Sequence, residues 1–398
     1  MIRHILLVDA EPALYHSLYR TLFAGNFQWT VTYAADTEEG LAALASHTFD
    51  AVISDIRPPT VDGLQLLREA ARRQPAGIRI ATTAAVDREE VFRILPEAHH
   101  VLGRPCDTQE LLDTLARTFR KRQNVGNEGL VSKMGQIRKL PSLPAIYEEL
   151  VAALQGDGAS FSRVARIVSR DVAITAQLLK LVNSAYFGLK NHVTAIDQAL
   201  RFLGIETFKS LVLTLDLFGQ YDDGSIPSGI LHRFYHHSLQ VATVAREIAA
   251  ELHPEDGVSD RAYTAALLHD VGKLVMAANL ADRYIPLLQE EQRAALSLCE
   301  AERDAFGTTH ADVGAYLLEL WRFPEDLVAG VAAHHAPEGR GRAETVLVAS
   351  VHMADALVHN CPDWMDRSFL AAAGIADDPG LWRDRVPDFA LEGDPDAG

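Results

Sequence analysis

His237, the pair His269-Asp270, Gly272-Lys273, His310, the pair His334-His335 and Asp355 lie in apolar helical text such as A-A-L-L-H-D-V-G-K-L-V. A polar group buried in that setting costs free energy unless it finds a partner. Imidazole and carboxylate ligands suit iron, manganese, zinc or nickel, and an aspartate can bridge two ions that together activate water against a phosphoester. A single histidine on an apolar face is ordinarily a satisfied core residue, and His310 or His352 taken alone reads that way. Adjacent His-Asp and His-His pairs resist that reading, so the spacing permits a dinuclear site without requiring one.

A second group lies near the amino end: Asp9 with Glu11, Asp55, Thr83 and Arg104, each at the end of a short apolar run. In an open parallel sheet, ligands bind outside the carboxyl ends of the strands. A carboxylate placed there can attack phosphorus, provided a cation neutralises its charge and a hydroxyl and a cation receive the phosphoryl oxygens. Asp55 suits the nucleophile, Asp9 a metal ligand and Thr83 the hydroxyl. Any one of these acids alone would read as a helix cap or a solvated loop residue; their common position is what argues for a site.

The elements that must position these groups are legible from periodicity. Residues 1–122 alternate β-branched or aliphatic runs (5–8, 31–33, 51–53, 78–81, 101–102) with amphipathic segments of helical length, which predicts βαβ units around a parallel sheet. The last helix has Asp107 and Glu110 at capping-box spacing, an apolar face of Leu111, Leu112, Leu115 and Phe119, and a basic end at Arg117–Arg122. Residues 123–136 lose periodicity and gain Gly and Asn, as a linker would. Residues 137–376 read as helices throughout; Ile174, Leu178, Leu181, Val182 and Ala185 share one face between an N-cap at Asp171 and a stop at Gly188. The acidic tail, 377–398, is rich in Asp, Pro and Gly and predicts a flexible end.

With 398 residues, 48% hydrophobic and 23% charged, the chain has the composition of a folded protein of two or three domains. The net charge of −17 is carried mostly behind residue 122, where 23 Lys+Arg face 38 Asp+Glu; the first 122 residues hold 14 against 16. A basic surface for displacing counterions from phosphates is missing, which argues against direct nucleic-acid binding. The three cysteines, Cys106, Cys299 and Cys361, are odd in number and lack C-x-x-C spacing, so they read as reduced thiols. No run approaches a spanning length and Met1-Ile2-Arg3-His4 lacks a signal layout, so a cytoplasmic location without membrane contact is expected.

Through L-L-V-D-A-E-P (6–12), S-D-I-R-P-P-T-V-D-G (54–63), Thr83-Ala84 and Arg104-Pro105, residues 4–120 resemble the receiver domain of two-component response regulators. The resemblance implies a flavodoxin-like, doubly wound sheet of five parallel strands, a phosphoacceptor at Asp55, Mg2+ beside it and a sensor histidine kinase as partner. There are two departures: the family's second acid is Ala10 here and its lysine is Arg104. Losing a carboxylate weakens a magnesium site, and Arg keeps the charge as a planar fork rather than a point donor. Glu11 is the substitute ligand if the receiver is competent; a degenerate receiver needs none.

From residue 137 to about 358, L-P-S-L-P (140–144), D-V-A-I-T-A-Q-L-L-K-L-V-N-S-A-Y-F-G (171–188) and I-D-Q-A-L-R-F-L-G (196–204) resemble the HDOD family, an all-helical relative of the HD superfamily of metal-dependent phosphohydrolases. That family implies a regulatory module without established catalysis. Yet His237, His269, Asp270 and Asp355 match the wider superfamily's H, HD and D, while His310, His334 and His335 match further ligands of its cyclic-dinucleotide phosphodiesterase branch. That branch's G-Y-P element does not occur, and F-G-T-T-H-A-D-V-G-A-Y-L-L-E-L-W (306–321) reads as ordinary HDOD text. The favoured expectation is a response regulator whose HDOD output is non-catalytic and acts through contacts with an unidentified protein; a homodimer is compatible with it. The alternative is a phosphohydrolase acting on a cyclic dinucleotide or nucleotide, with iron, manganese or zinc in the His/Asp set and Lys273 steadying the phosphate. A third use of the same pocket is to bind a nucleotide second messenger without cleaving it.

Overall fold

The computed structural model describes residues 2–25, 28–57, 61–84, 94, 97–135, 137, 140, 144–155, 160–183, 192–213, 226–254, 257–291, 298–338, 341–376 and 382. The chain divides into two compact units near residue 138.

The first unit is built on five strands, β1 (Arg3–Val8), β2 (Trp29–Ala34), β3 (Ala51–Asp55), β4 (Ile78–Thr83) and β5 (His100–Gly103), all parallel and in the order β2-β1-β3-β4-β5. Strands covered on both faces must be apolar throughout, and Ile5, Leu6, Leu7 and Val8 are accordingly fully buried. Helices α1 (Ala13–Ala24), α2 (Thr37–Ser46), α3 (Gly63–Arg73) and α4 (Thr108–Val125) connect and cover them. Asp36 and Asp62 cap α2 and α3 by accepting from the N–H of Glu39 and Gln65. Asp107 caps α4 by accepting from Gln109 N–H, while the side chain of Glu110 lies outside the described residues. Leu111, Leu112, Leu115 and Phe119 form the buried face of α4, as their spacing predicts.

The sequence predicts a linker at 123–136, but this segment is largely helical. α4 runs on to Val125, and α5 (Glu128–Met134) follows with Leu130, Val131 and Met134 buried. Asn127, whose residue type suggests a loop, is the N-cap, accepting from Leu130 N–H at 3.0 Å. The segment also satisfies buried donors of the sheet: Gly135 O accepts from Arg79 Nη2 at 2.6 Å and lies 3.2 Å from His99 Nε2.

The second unit is helical throughout its described residues: α6 (Pro144–Gln155), α7 (Phe161–Val168), α8 (Val172–Val182), α9 (Ile196–Leu203), α10 (Ile205–Leu213), α11 (Ser228–Leu252), α12 (Val258–Leu268), α13 (Val271–Asn279), α14 (Ala281–Glu291), α15 (Leu298–Phe306), α16 (His310–Leu320), α17 (Glu325–Ala332), α18 (Arg342–Val358) and α19 (Arg367–Ala373). Asp171 caps α8 by accepting from Ile174 N–H at 2.8 Å. The stop expected at Gly188 lies outside the described residues. α12 packs against α11, α17 and α18, and these helices frame the site described below. Of the expected flexible tail only Trp382 is described: it is buried, and its indole N–H donates to Ala376 O at 2.8 Å. Among the described residues no helix is long and apolar enough to cross a membrane.

Candidate metal centre and receiver pocket

The pairing register alone brings the amino-terminal acids together. Val8 pairs with Ser54 and Asp55 with Thr82, so the residue after β1, Asp9, lies beside the last residue of β3, Asp55. Thr83 pairs with Gly103, which puts Arg104 just past the same edge. Gly63 begins α3 so close to this edge that a Cβ there would stand 2.3 Å from Asp55 O, which accounts for the glycine in the D-G dipeptide.

Two guanidinium groups neutralise this pocket. Arg104 pairs with Asp9 Oδ2 and holds Nε 3.2 Å from Asp55 Oδ1; Arg57 holds Nε 3.1 Å from Asp55 Oδ2 and donates from Nη1 to Glu11 Oε1 at 2.6 Å. The two contacts to Asp55 are ion pairs by distance without hydrogen-bond alignment, since Arg104 Nε and Asp55 Oδ2 lack aligned partners. Burial pushes the Asp55 carboxyl above its ordinary range, with Arg104 pulling the other way and Asp9 adding to the rise. Thr83 is buried at the end of β4, and the Thr82 hydroxyl lies 3.5 Å from Arg104 Nη2. Arg57 and Thr82 were not singled out from the sequence, although Arg57 stands two residues after Asp55.

These residues do not fit a magnesium ion. It would need carboxylate oxygens free to face it. Both oxygens of Asp55, Asp9 Oδ2 and Glu11 Oε1 face guanidiniums instead, Asp9 Oδ1 accepts from Glu11 N–H at 2.9 Å, and the adjoining position is Ala10.

In the helical unit, all seven residues of the His/Asp set converge. His237 comes from the middle of α11, His269 and Asp270 from the junction of α12 and α13, His310 from the first residue of α16, His334 and His335 from the turn after α17, and Asp355 from α18. His237 Nε2 lies 3.1 Å from Asp355 Oδ1 and 3.7 Å from Asp270 Oδ2; His269 Nε2 lies 3.4 Å from Asp270 Oδ2 and 3.6 Å from Asp355 Oδ1. Asp270 turns its other oxygen to His310 Nε2 at 3.4 Å and His334 Nε2 at 3.8 Å. Lys273 Nζ is 2.8 Å from Asp270 Oδ2. The glycine of H-D-V-G-K is sterically required: a Cβ on Gly272 would stand 1.9 Å from His310 O, so α13 and the start of α16 approach backbone to backbone.

The tautomers follow from the outer partners. His269 Nδ1 is 2.6 Å from Ala266 O, His334 Nδ1 2.7 Å from Val331 O and His310 Nδ1 2.8 Å from Glu302 Oε2. Those oxygens can only accept, so each Nδ1 donates, and a neutral ring then presents a bare Nε2 to the centre. His310 Nε2 nevertheless stands 3.3 Å from His334 Nε2 and 3.0 Å from His335 Nε2. The 3.0 Å contact to His335 is a hydrogen bond in which the His335 ring donates if its Nε2 carries the proton, while the His310 and His334 nitrogens, both bare in neutral rings, face each other. The buried His237 Nε2, His269 Nε2, both oxygens of Asp270 and Asp355 Oδ1 also lack aligned hydrogen-bond partners. Burial pushes His237 down to about 4, while in His269 the carboxylates of Asp270 and Asp355 overcome burial and push the ring up to about 10.

Glu302 and His359 were missed from the sequence. Glu302 is fully buried and locks His310, and His359 Nδ1 lies 3.1 Å from Asp355 Oδ1 one turn along α18. His352 is the satisfied core histidine expected of it, with Nδ1 2.7 Å from His334 O and Nε2 accepting from Asp366 N–H at 2.8 Å. His310, read the same way when taken alone, points into the cluster instead.

Comparison with known proteins agrees with both halves. The response regulator receiver domain model matches residues 5–116 and the HDOD domain model residues 140–337. An uncharacterized protein of Treponema pallidum (strain Nichols) is 23% identical over 259 residues, covering 63% of this chain and 47% of that protein. The response regulator protein FleR of Pseudomonas aeruginosa is 36% identical over 119 residues, covering 29% of this chain and 24% of FleR. This chain thus spans about half the length of the first and a quarter of the second. A virulence factor of Campylobacter jejuni subsp. jejuni shares the fold with a TM-score of 0.51 at 20% identity, over 65% of this chain and 96% of that one. The molecule is a receiver-domain protein with a helical output unit. It belongs with the response regulators, as an N-terminal receiver domain followed by an HDOD domain. A receiver domain in general implies a phosphorylating sensor kinase as partner.

Proposed function

We propose that this response regulator works in the cytoplasm and that its HDOD output domain holds two divalent cations and hydrolyses a phosphoester of a cyclic dinucleotide or nucleotide. The observation that carries this reading is the set of bare Nε2 atoms of His310 and His334 facing each other at 3.3 Å beside the orphaned oxygens of Asp270. His237, His269 and Asp355, whose ligand atoms lie within 4.8 Å of one another, would hold one ion; His310, His334 and His335 would hold the other, with the two oxygens of Asp270 turned to the two sets. When bound, such ions lower the pKa of a water and draw charge from a phosphoryl oxygen. The chain's own residues do the rest: Ala266 O, Val331 O and Glu302 fix three imidazoles in the ligating tautomer, and Lys273, paired with Asp270, would supply a positive charge to a phosphate bound beside the ions. In the receiver, Arg57 and Arg104 neutralise Asp55 in place of a metal ion.

The second reading is a non-catalytic module acting through protein contacts. It is favoured by the HDOD family match, whose span stops at residue 337, short of Asp355 and His359. The two separate on the metal content of protein purified without chelators or oxygen, compared with a His269→Ala, Asp270→Ala double variant. About two ions per chain in the parent and none in the variant support the hydrolase. A parent that stays metal-free even after reconstitution overturns it.

A further inference from the structure

Cys299 sits in the first turn of α15, three residues before Glu302, so the two share one face of that helix. Glu302 uses this face to lock Nδ1 of His310. The thiol follows it inward: Cys299 is buried, and its sulfur and one ring nitrogen each of His310 and His335 all lie within 4.8 Å of one another. His310 Nε2, bare in a neutral ring, lies 3.0 Å from His335 Nε2 and 3.4 Å from Asp270 Oδ1, a buried oxygen with no aligned partner.

We propose that Cys299 is a ligand of the cation held by His310 and His335, which makes the two halves of the centre chemically unequal: a thiolate joins the imidazoles on the His310 side alone. The inference rests on the metal-centre reading above and adds to it a ligand that the cysteine spacing does not suggest. On binding, the S–H bond breaks, the proton passes to solvent and sulfur bonds the ion as thiolate. A thiolate is a soft ligand, so the His310 side prefers zinc or iron to magnesium or manganese. It also offsets one positive charge of the ion.

The test is cobalt loading of the full chain under anaerobic conditions, read by absorption and by bound cobalt per chain. A near-ultraviolet thiolate-to-cobalt charge-transfer band is expected in the parent and in the Cys106→Ser, Cys361→Ser double variant. It should be lost in Cys299→Ser, which keeps the fold by circular dichroism and holds its second ion about tenfold or more weakly. Cobalt bound at the same stoichiometry without the band, or a band that survives in Cys299→Ser, overturns the role of Cys299 and leaves the metal centre standing. A parent that binds no cobalt overturns both.

Discussion

The pocket at the ends of β1 and β3 and the pocket between α11, α13 and α18 each bury two aspartates, but they neutralise them by different means. In the receiver, Asp9 and Asp55 face the guanidiniums of Arg104 and Arg57, cations that are permanently charged and covalently part of the chain. In the HDOD domain, Asp270 and Asp355 face imidazoles and the single ammonium of Lys273. An imidazole can give up its proton and become a ligand, whereas a guanidinium cannot. Similar acids are therefore neutralised by fixed cations in one place and by titratable groups in the other.

The largest expected effect comes from making the same substitution in both pockets. Asp270 is held well below its ordinary value because the charges of His269 and Lys273 outweigh burial, so its ionised form stabilises the fold above the unfolded pKa of about 3.9 and that contribution is lost as pH falls. Asp270→Asn leaves a buried imidazolium and ammonium without their anion and should cost about 3–5 kcal/mol in metal-free protein. Asp55 is raised, chiefly by burial, so its contribution has the opposite sign: it is present at low pH and lost as pH rises through the folded value. Asp55→Asn should therefore raise the receiver's melting temperature at neutral pH, with the gain fading on acidification. Calorimetry of the two variants from pH 4 to pH 8 checks this, and equal signs would break the comparison.

The next effect is steric. Gly63 and Gly272 are the glycines that let a helix start against each pocket, with Cβ positions 2.3 Å from Asp55 O and 1.9 Å from His310 O. Alanine at either should cost about 1–3 kcal/mol through overpacking. Only Gly272→Ala displaces ligands, since it pushes His310 away from Asp270; that variant should lose bound metal while Gly63→Ala keeps it. Elemental analysis beside urea melts tells the two apart, and a Gly272→Ala protein with full metal would mean that His310 is not a ligand.

Much of this contrast can be read from residue order, for a physical reason. Strand ends and adjacent pairs are local features: the apolar runs locate β1 to β5, and His269-Asp270 and His334-His335 stand out because two polar neighbours in apolar text are hard to satisfy otherwise. What stayed hidden depends on packing between distant segments. Thr82 near Arg104, and Arg57 against both Asp55 and Glu11, follow from side-chain placement that no spacing rule contains. Glu302 and Cys299 enter only because α15 lies against α16, with the connecting fold deciding which face turns inward. His359 was within reach, one helical turn after Asp355. The helix at 128–134 was concealed by Asn and Gly, residue types that suggest a loop but here include a cap.

The smallest effect, and the sharpest on mechanism, is a count of protons. In metal-free protein His269 is pushed up to about 10 by Asp270 and Asp355, which overcome its burial, so near pH 7.5 its ring carries a second proton between the two carboxylates. Burial takes His237 down to about 4, so that ring is already neutral and has nothing to release. A divalent ion needs the Nε2 lone pair of both, so binding at the His237 side should expel about one proton, and affinity there should rise about tenfold per pH unit until His269 titrates on its own. Calorimetry of zinc binding in two buffers of different ionisation enthalpy measures this release, with Cys299→Ser removing any proton that comes from the thiol. A release of about one proton in that variant means that the acids of the helical pocket use a proton as their stand-in cation. A release of none means that His269 is neutral before metal arrives, and the carboxylates would then have to be balanced from within, as Arg57 and Arg104 balance Asp55.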